Sequence, residues 1–395
     1  MGAGPLMGYA FGVFSKTINT EFGWERSVLS LGLTCFLIGS GFGALALGHV
    51  INRWNVRSAS ITFLIIFSLA IGAIGMLSPS RWFVYIDFLI IGFFGSAACA
   101  LPYSVSISGL FHDHRGLALG LMGAGGGLGG LLAPQYAVFL LTNVGWRRSF
   151  VIIAITIAAV SLIGQVFLVR DPPSVESSST GHEKTRTGTN YLRQRPFWLL
   201  VLIILGLSFA TWGVLPNVIP LLTDRGFSPA LAATVLSSAG FAAWVGRLLV
   251  AYLMDRIFAP FITLTVLLLA ALGMLLLGGG TTITLAFIAS SLIGVAIGSE
   301  SDIITYLVSR YFPQEVYSRV VGAMWVVWCW GGGMGTYVAG AVYDSSKSYV
   351  VALWLFGGGV ILAAGTTLLL GPYIIPLAHR KRATIQRPAP IAHVP

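Results

Sequence analysis

Ala242-Ala243-Trp244-Val245-Gly246-Arg247-Leu248-Leu249-Val250-Ala251-Tyr252-Leu253-Met254-Asp255-Arg256 is the stretch on which the fold turns. It is apolar except for one arginine in its middle and an Asp-Arg pair at its end. A helical rise of about 1.5 Å per residue sets Arg247 roughly 12 Å inside that end. A guanidinium so deep in a lipid-spanning helix costs about 2.5–3.5 kcal/mol on insertion scales, and such residues face protein or a water-filled path. The stretch therefore predicts a membrane helix whose single charge points into a bundle and marks an ion or substrate path.

The rest of the chain supports that setting. Of 395 residues, 56% are apolar and 9% charged, against about 25% charged in an ordinary soluble domain. Apolar runs of 20 or more residues recur, long enough for a bilayer core of about 30 Å. Lipid admits only helices and closed barrels as spanning structures. These runs are too long and too apolar for barrel strands, so the reading is an all-α polytopic membrane protein. Twelve hydrophobic segments fall at about 1–18, 27–51, 58–78, 82–111, 117–141, 149–169, 196–222, 229–254, 260–279, 283–310, 319–342 and 349–376. The first is short, as if the natural start of the chain were missing, and Met1 enters it without the basic flank of a cleavable signal. Cys35, Cys99 and Cys329 all lie inside segments, where disulfides are not expected. The six histidines show no metal-ligand spacing; His112 and His114 flank Asp113 in a loop and read as solvated. Neither a metal nor a cofactor is expected.

Basic residues set the orientation. With both termini in the cytoplasm, fifteen of the 23 Lys and Arg residues lie on the cytoplasmic side and seven on the outer side, Arg247 being the remaining one. That asymmetry follows the positive-inside rule. It accounts for the net charge of +10 without a nucleic-acid partner. The expected location is the cell membrane, multi-pass, with lipid as the surrounding partner and a monomeric state. A polar stretch rich in Ser, Thr, Glu, Lys and Arg divides two sets of six segments and reads as a flexible linker. The domain reading is a first half at 1–170, a cytoplasmic linker at 171–195, a second half at 196–378 and a cytoplasmic tail at 379–395.

The halves repeat each other at an offset of 203. Gly23 falls on Gly226, Gly43 on Gly246, Asn52-Arg53 on Asp255-Arg256, Gly95-Ser96 on Gly298-Ser299 and Tyr103 on Tyr306. Two six-helix halves related by a parallel repeat are an architecture of transporters that bind substrate near the midplane and work by rocking. Three charges have no counterpart in the first half: Arg247 falls on Ala44, Glu300 on Ala97 and Asp302 on Cys99. Charges that only braced the shared fold would be expected twice.

From these residues the chain resembles the major facilitator superfamily from end to end. Gly48-His49-Val50-Ile51-Asn52-Arg53-Trp54-Asn55-Val56-Arg57 is similar to the loop signature after the second helix, with Asn52 in place of the usual aspartate. Asp255-Arg256 keeps that charge in the other half. Phe111-His112-Asp113-His114-Arg115-Gly116-Leu117-Ala118-Leu119-Gly120-Leu121-Met122-Gly123-Ala124-Gly125 is similar to the fifth-helix signature of monocarboxylate transporters, although Asp113-His114 replaces its basic pair. The resemblance, shared with oxalate/formate antiporters, implies that Arg247 matches the eighth-helix arginine that grips a substrate carboxylate. Arg53, Arg115, Asp255 and Arg256 take the gating-loop positions. The family's aspartate one turn before the arginine is Ala243 here, and its first-helix lysine has no counterpart, nor does segment 11 contain a lysine. A single cation favours a monoanion over a dicarboxylate.

Two acids lie at the depth of Arg247. Counting back from Arg310, Asp302 is ~12 Å and Glu300 ~15 Å from the helix end, and they point about 200° apart on the helix. Asp302 shares its face with Tyr306 and Ser309, whereas Glu300 shares one with Ile304 and Leu307. One of them is expected to neutralise Arg247 in the empty site and to take a proton during turnover, with Asp302 favoured. The bland alternative is a static salt bridge between segments 8 and 10. Tyr103 after Pro102, Asn217 between Pro216 and Pro220, and Trp328 among Trp325 and Trp330 are candidate substrate contacts, each of which packing alone would also explain. Asp87 lies roughly 9 Å from the outer end of segment 4, where it pairs with a neighbour or faces a wet vestibule. Glycines 123–130 and 331–335 suit close helix approach better than a phosphate cradle, since no strand precedes them.

These readings converge on a secondary transporter of a small organic anion, a monocarboxylate, coupled to protons. The alternatives are an exchanger, an exporter of amphipathic drugs, and a sensor with a transporter fold. An enzyme is disfavoured, because no nucleophile–base pair falls within the segments.

Overall fold

The computed structural model describes residues 6–53, 56–98, 115–168, 190–279 and 282–373. Tyr103, Cys99, the linker at 171–189 and the end of the chain from 374 lie outside them. Every regular element among the described residues is helical. α1 is Phe11–Phe22, preceded by one π turn at Leu6–Ala10. α2 is Arg26–Arg53, α3 Val56–Ile74, and α4 Arg81–Gly95 with a 3-10 turn at Ser96–Ala98. Arg115–Leu168 runs as one helix broken at Gly145, and its limbs at 115–144 and 146–168 are α5 and α6. α7 covers Arg195–Asp224 through a 3-10 break at Leu215–Asn217. α8 is Pro229–Met254, α9 Ala259–Gly279, α10 Ile283–Tyr311, α11 Gln314–Ser346 and α12 Val350–Thr367.

Twelve spans were expected, and the element order gives a twelve-helix bundle in two six-helix halves. Eight described helical stretches are long and apolar enough to cross a membrane, one of them containing both α5 and α6. The edges differ from the hydrophobic runs. The helix that carries the first span runs on past it to Phe22, the eleventh extends at both ends, and the twelfth stops at Thr367. Apolarity marks where lipid or core contact ends, whereas helices continue into the interface until a cap stops them.

The repeat seen in the sequence is a repeat of backbone geometry. α1 ends at Gly23 with φ +64°, and α7 is followed by Gly226 with φ +89°. Beyond each glycine the chain closes the same bond: Trp24 N–H to the Asn19 carbonyl at 3.0 Å, and Phe227 N–H to Leu222 at 3.1 Å. This is the left-handed C-terminal cap that glycine favours because it has no Cβ. All three residue pairs are 203 positions apart.

Packing repeats as well. α2 lies on α4 and α8 on α10, while α2·α11 and α5·α8 join the halves. Gly43 sits against the Phe93 backbone and Gly246 against Val295, so neither position has room for a side chain. At the half interface Thr34 donates to the Gly333 carbonyl at 2.7 Å, and Ser237 donates to Leu131 at 2.7 Å. Gly130 and Gly240 meet backbone to backbone there. Small residues thus bring helices close, as dispersion-driven packing in lipid requires. Outside, Leu69, Ile155, Trp330 and Leu362 stand exposed at 58–75%, an apolar exterior suited to acyl chains and not to water.

The break in α7 was expected from Pro216 and Pro220. Proline removes a helical N–H donor and frees a carbonyl one turn back. The Asn217 amide donates to the Gly213 carbonyl at 2.9 Å, and Gly12 of α1 lies directly on the Pro216 carbonyl. The break is thereby buried against the opposite half.

Candidate functional site

A cavity of about 340 Å³ lies between the halves at the level of Arg247. The first half contributes Tyr9 before α1 and Gly126 and Gly127 of α5. The second contributes Thr211 and Trp212 of α7, Trp244 and Arg247 of α8, Glu300 of α10, and Trp325 and Trp328 of α11. Among the described residues of that lining Arg247 is the only cation and Glu300 the only carboxylate. A larger hollow of about 670 Å³ opens at the predicted outer end beside Lys16, Glu21 and Thr223, away from both.

Arg247 is held by Asp302. Its Nη2 donates to Asp302 Oδ1 at 3.0 Å, and the two side chains are 35% and 25% exposed. They meet because Gly246 and Gly298 let α8 and α10 approach to backbone contact. A guanidinium has five N–H donors; one is given to Asp302, and Arg247 also lines the cavity, where the fork can receive an anion.

Glu300 turns the other way, 5% exposed. Its Oε1 accepts from the Thr211 hydroxyl at 2.6 Å and its Oε2 from the Trp328 indole N–H at 2.7 Å. The Thr211 oxygen also lies 2.9 Å from the Leu207 carbonyl. That hydroxyl has one hydrogen and three acceptors in reach, the Ser208 carbonyl at 3.3 Å being the third. An ionised Glu300 receives it. A protonated Glu300 can donate its own hydrogen to Thr211, which then turns to Leu207. Trp328, a donor in either case, stays on Oε2. Both protonation states fit the same heavy-atom positions.

The structure brings Arg247, Asp302, Glu300 and Trp328 together and leaves other candidates elsewhere. Asn217 borders two small voids of about 10 and 20 Å³ and not this cavity. Tyr103 falls outside the described residues. Arg53 ends α2 and Arg115 starts α5, with their side chains outside the description. Asp255 is exposed just after α8, and Arg256 lies over the Tyr252 ring at 4.3 Å. Asp87 is 6% exposed, with one carboxylate oxygen unpartnered among the described residues. Sequence reading missed Tyr9, Thr211, Trp212 and Trp244. Of these, only Trp244 carried a signal: it precedes Arg247 by three residues and so shares its helical face.

The halves are also pinned at the predicted outer end. Asp224 at the end of α7 accepts from Arg26 at 2.6 Å and from Lys16 at 3.1 Å. Asp344 of α11 accepts the backbone N–H groups of Arg26 and Ser27 at 2.9 and 2.8 Å, an anion at a helix N-terminus. Arg26 lies over the Tyr343 ring at 3.6 Å and donates to the Tyr349 hydroxyl at 2.9 Å. Within the first half, Glu21 accepts from the Trp146 indole and from Arg147. Those two hydrogen bonds, that of Trp146 first, hold its carboxyl below the usual glutamate range.

Comparison with known proteins agrees with this architecture. The family model described as Major Facilitator Superfamily matches residues 3–336. The uncharacterised MFS-type transporter YcxA of Bacillus subtilis (strain 168) is 22% identical over 87% of this chain and 85% of its own. Monocarboxylate transporter 13 of Rattus norvegicus is 23% identical over 92% of this chain and 84% of its own. Among solved structures, the nucleoside transporter NupG superposes with a TM-score of 0.72 at 14% identity, covering 93% of this chain and 96% of that one.

Proposed function

The chain belongs to the Major Facilitator Superfamily, and from that premise we propose that this secondary transporter moves a small monocarboxylate together with a proton by alternating access. The observation that carries the reading is a cavity between the halves whose described lining holds one arginine and one buried acid. The sequence resemblance to a monocarboxylate transporter supports the substrate class.

Each residue then has a role. Asp302 neutralises Arg247 while the site is empty. The entering carboxylate binds the remaining N–H fork, a charge-assisted contact stronger than a neutral hydrogen bond. Glu300 takes the proton on Oε1, and Thr211 reorients to accept it. Binding the anion alone would add a negative charge to a cavity poor in water, which is costly. Binding anion and proton together leaves the cavity charge unchanged, so the loaded and empty bundles rock against similar electrostatic barriers. Rocking then exchanges the contacts of α2·α11 and α5·α8, and the Asp224–Arg26–Asp344 cluster must part to open the predicted outer end. The same reading puts both termini in the cytoplasm, the protein in the cell membrane as a monomer, and Arg53, Arg115, Asp255 and Arg256 at the cytoplasmic gate.

The test is uptake into proteoliposomes of purified protein, using labelled monocarboxylates with and without an inward proton gradient. Accumulation driven by the gradient and indifferent to an imposed membrane potential is expected. Accumulation that ignores the proton gradient overturns the coupling.

A further inference from the structure

The cavity wall is built for more than a charge. Four indoles, Trp212, Trp244, Trp325 and Trp328, line about 340 Å³ together with Tyr9 and Arg247. Trp328 stands edge to face with Trp212 at 5.6 Å and with Trp325 at 5.2 Å. The three rings form a continuous aromatic surface across α7 and α11. The volume equals that of about eleven waters at roughly 30 Å³ each. A two- or three-carbon acid would leave most of it as water held against indole faces, which is unfavourable.

A second feature concerns the acid end. The Trp244 indole N–H is buried and has no partner among the described residues. An orphaned buried donor costs about 1–3 kcal/mol. Trp244 precedes Arg247 by three residues and therefore lies on the same helical face. That N–H is closed to the empty cavity; a turn of the indole as a carboxylate seats on Arg247 would give it the acceptor it lacks, one oxygen facing the guanidinium and the other the indole.

We infer that the substrate is an aromatic monocarboxylate, its carboxylate held by Arg247 and Trp244 and its ring packed against Trp212, Trp325 and Trp328. This rests on the reading of Arg247 as the anion site. Edge-to-face and offset-stacked aromatic contacts favour a planar ring over an aliphatic chain of equal length. Trp325 is 38% exposed, so it can be shortened without opening the packed core.

Calorimetry on the full chain in nanodiscs tests this with benzoate, acetate, lactate and benzyl alcohol as probes. Benzoate is expected to bind at least tenfold more tightly than acetate or lactate. Trp325→Leu should weaken benzoate about tenfold, and Trp244→Phe, which keeps a ring and removes the N–H, severalfold. Acetate or lactate binding as tightly as benzoate overturns the aromatic assignment and leaves the anion site standing, as does an unchanged benzoate affinity in Trp325→Leu. Benzyl alcohol binding as tightly as benzoate overturns the anion site itself. The wild-type panel decides the matter even if a variant fails to fold.

Discussion

Asp302 Oδ1 holds Arg247 Nη2 at 3.0 Å across the α8–α10 seam. The cation that would grip a substrate is thus already occupied by an internal carboxylate, which an incoming anion must rival.

Asp302→Asn removes the rival and strands the guanidinium. Breaking such a pair from one side costs about 3–5 kcal/mol when buried, and less here because both side chains are partly exposed. The variant should melt several degrees lower without ligand, bind carboxylate more tightly, and regain most of its stability at saturating ligand. Net uptake should fall, since the empty carrier would rock with Arg247 unpaired. Thermal melts with and without ligand check this; equal affinity in variant and wild type would show that Asp302 does not rival the substrate.

Glu300→Gln should abolish proton-driven accumulation while exchange of labelled for unlabelled substrate continues. The Gln amide still offers an oxygen to Trp328 or Thr211. Thr211→Val keeps the shape of the side chain and removes the hydroxyl that serves both protonation states. Its uptake rate should fall about tenfold, with exchange reduced less. Gradient-driven accumulation that persists in Glu300→Gln would move the proton to another group, Asp302 being the first candidate.

The outer cluster should behave as a latch. In a cysteine-free background with Leu215→Cys lining the cavity, Asp224→Ala releases Lys16 and Arg26 together. Labelling of that cysteine by a thiol reagent added at the predicted outer end should quicken severalfold. An unchanged rate would mean that the cluster does not limit opening.

Glu21 supplies a pH prediction with a definite sign. Its carboxyl is held below the usual glutamate range by Trp146 and Arg147. A depressed folded value stabilises the protein above the unfolded value, about 4.3 for glutamate, and that contribution is lost as pH falls through the folded value. Glu21→Gln should therefore melt slightly below wild type from pH 5 to 8, the gap closing toward pH 3. The gap will be small, because the ion pair is about 40% exposed. A gap that widens on acidification contradicts the assignment.

How much of this was legible in the sequence depended on period and depth. Membrane class and twelve segments followed from apolar runs, which lipid enforces, and the repeat from one constant offset. Arg247 stood out as a charge where charge is costly. Helix geometry also separated Glu300 from Asp302, but it could not say what faced each. The Ile304 and Leu307 face of Glu300 reads as dry on its own helix, yet Thr211 and Trp328 come to it from α7 and α11. Asp302, favoured for its polar neighbours, is the partner of Arg247, as that reading expected, while its neighbour Tyr306 donates to the Met254 carbonyl at 2.7 Å. Asn217 was marked by its prolines, and its amide serves the broken helix. Partners from other helices are invisible to a single-helix reading, and these set the chemistry of the site.

The central claim is that Arg247 binds the substrate carboxylate, and its most direct test is calorimetric titration of the tightest-binding monocarboxylate into Arg247→Ala combined with Asp302→Asn. Removing both charges avoids stranding either one. The account predicts a folded, monodisperse protein with no saturable binding, and Arg247→Lys weakened at least tenfold because a point charge cannot replace the fork. Binding by the double variant within twofold of wild type would contradict it.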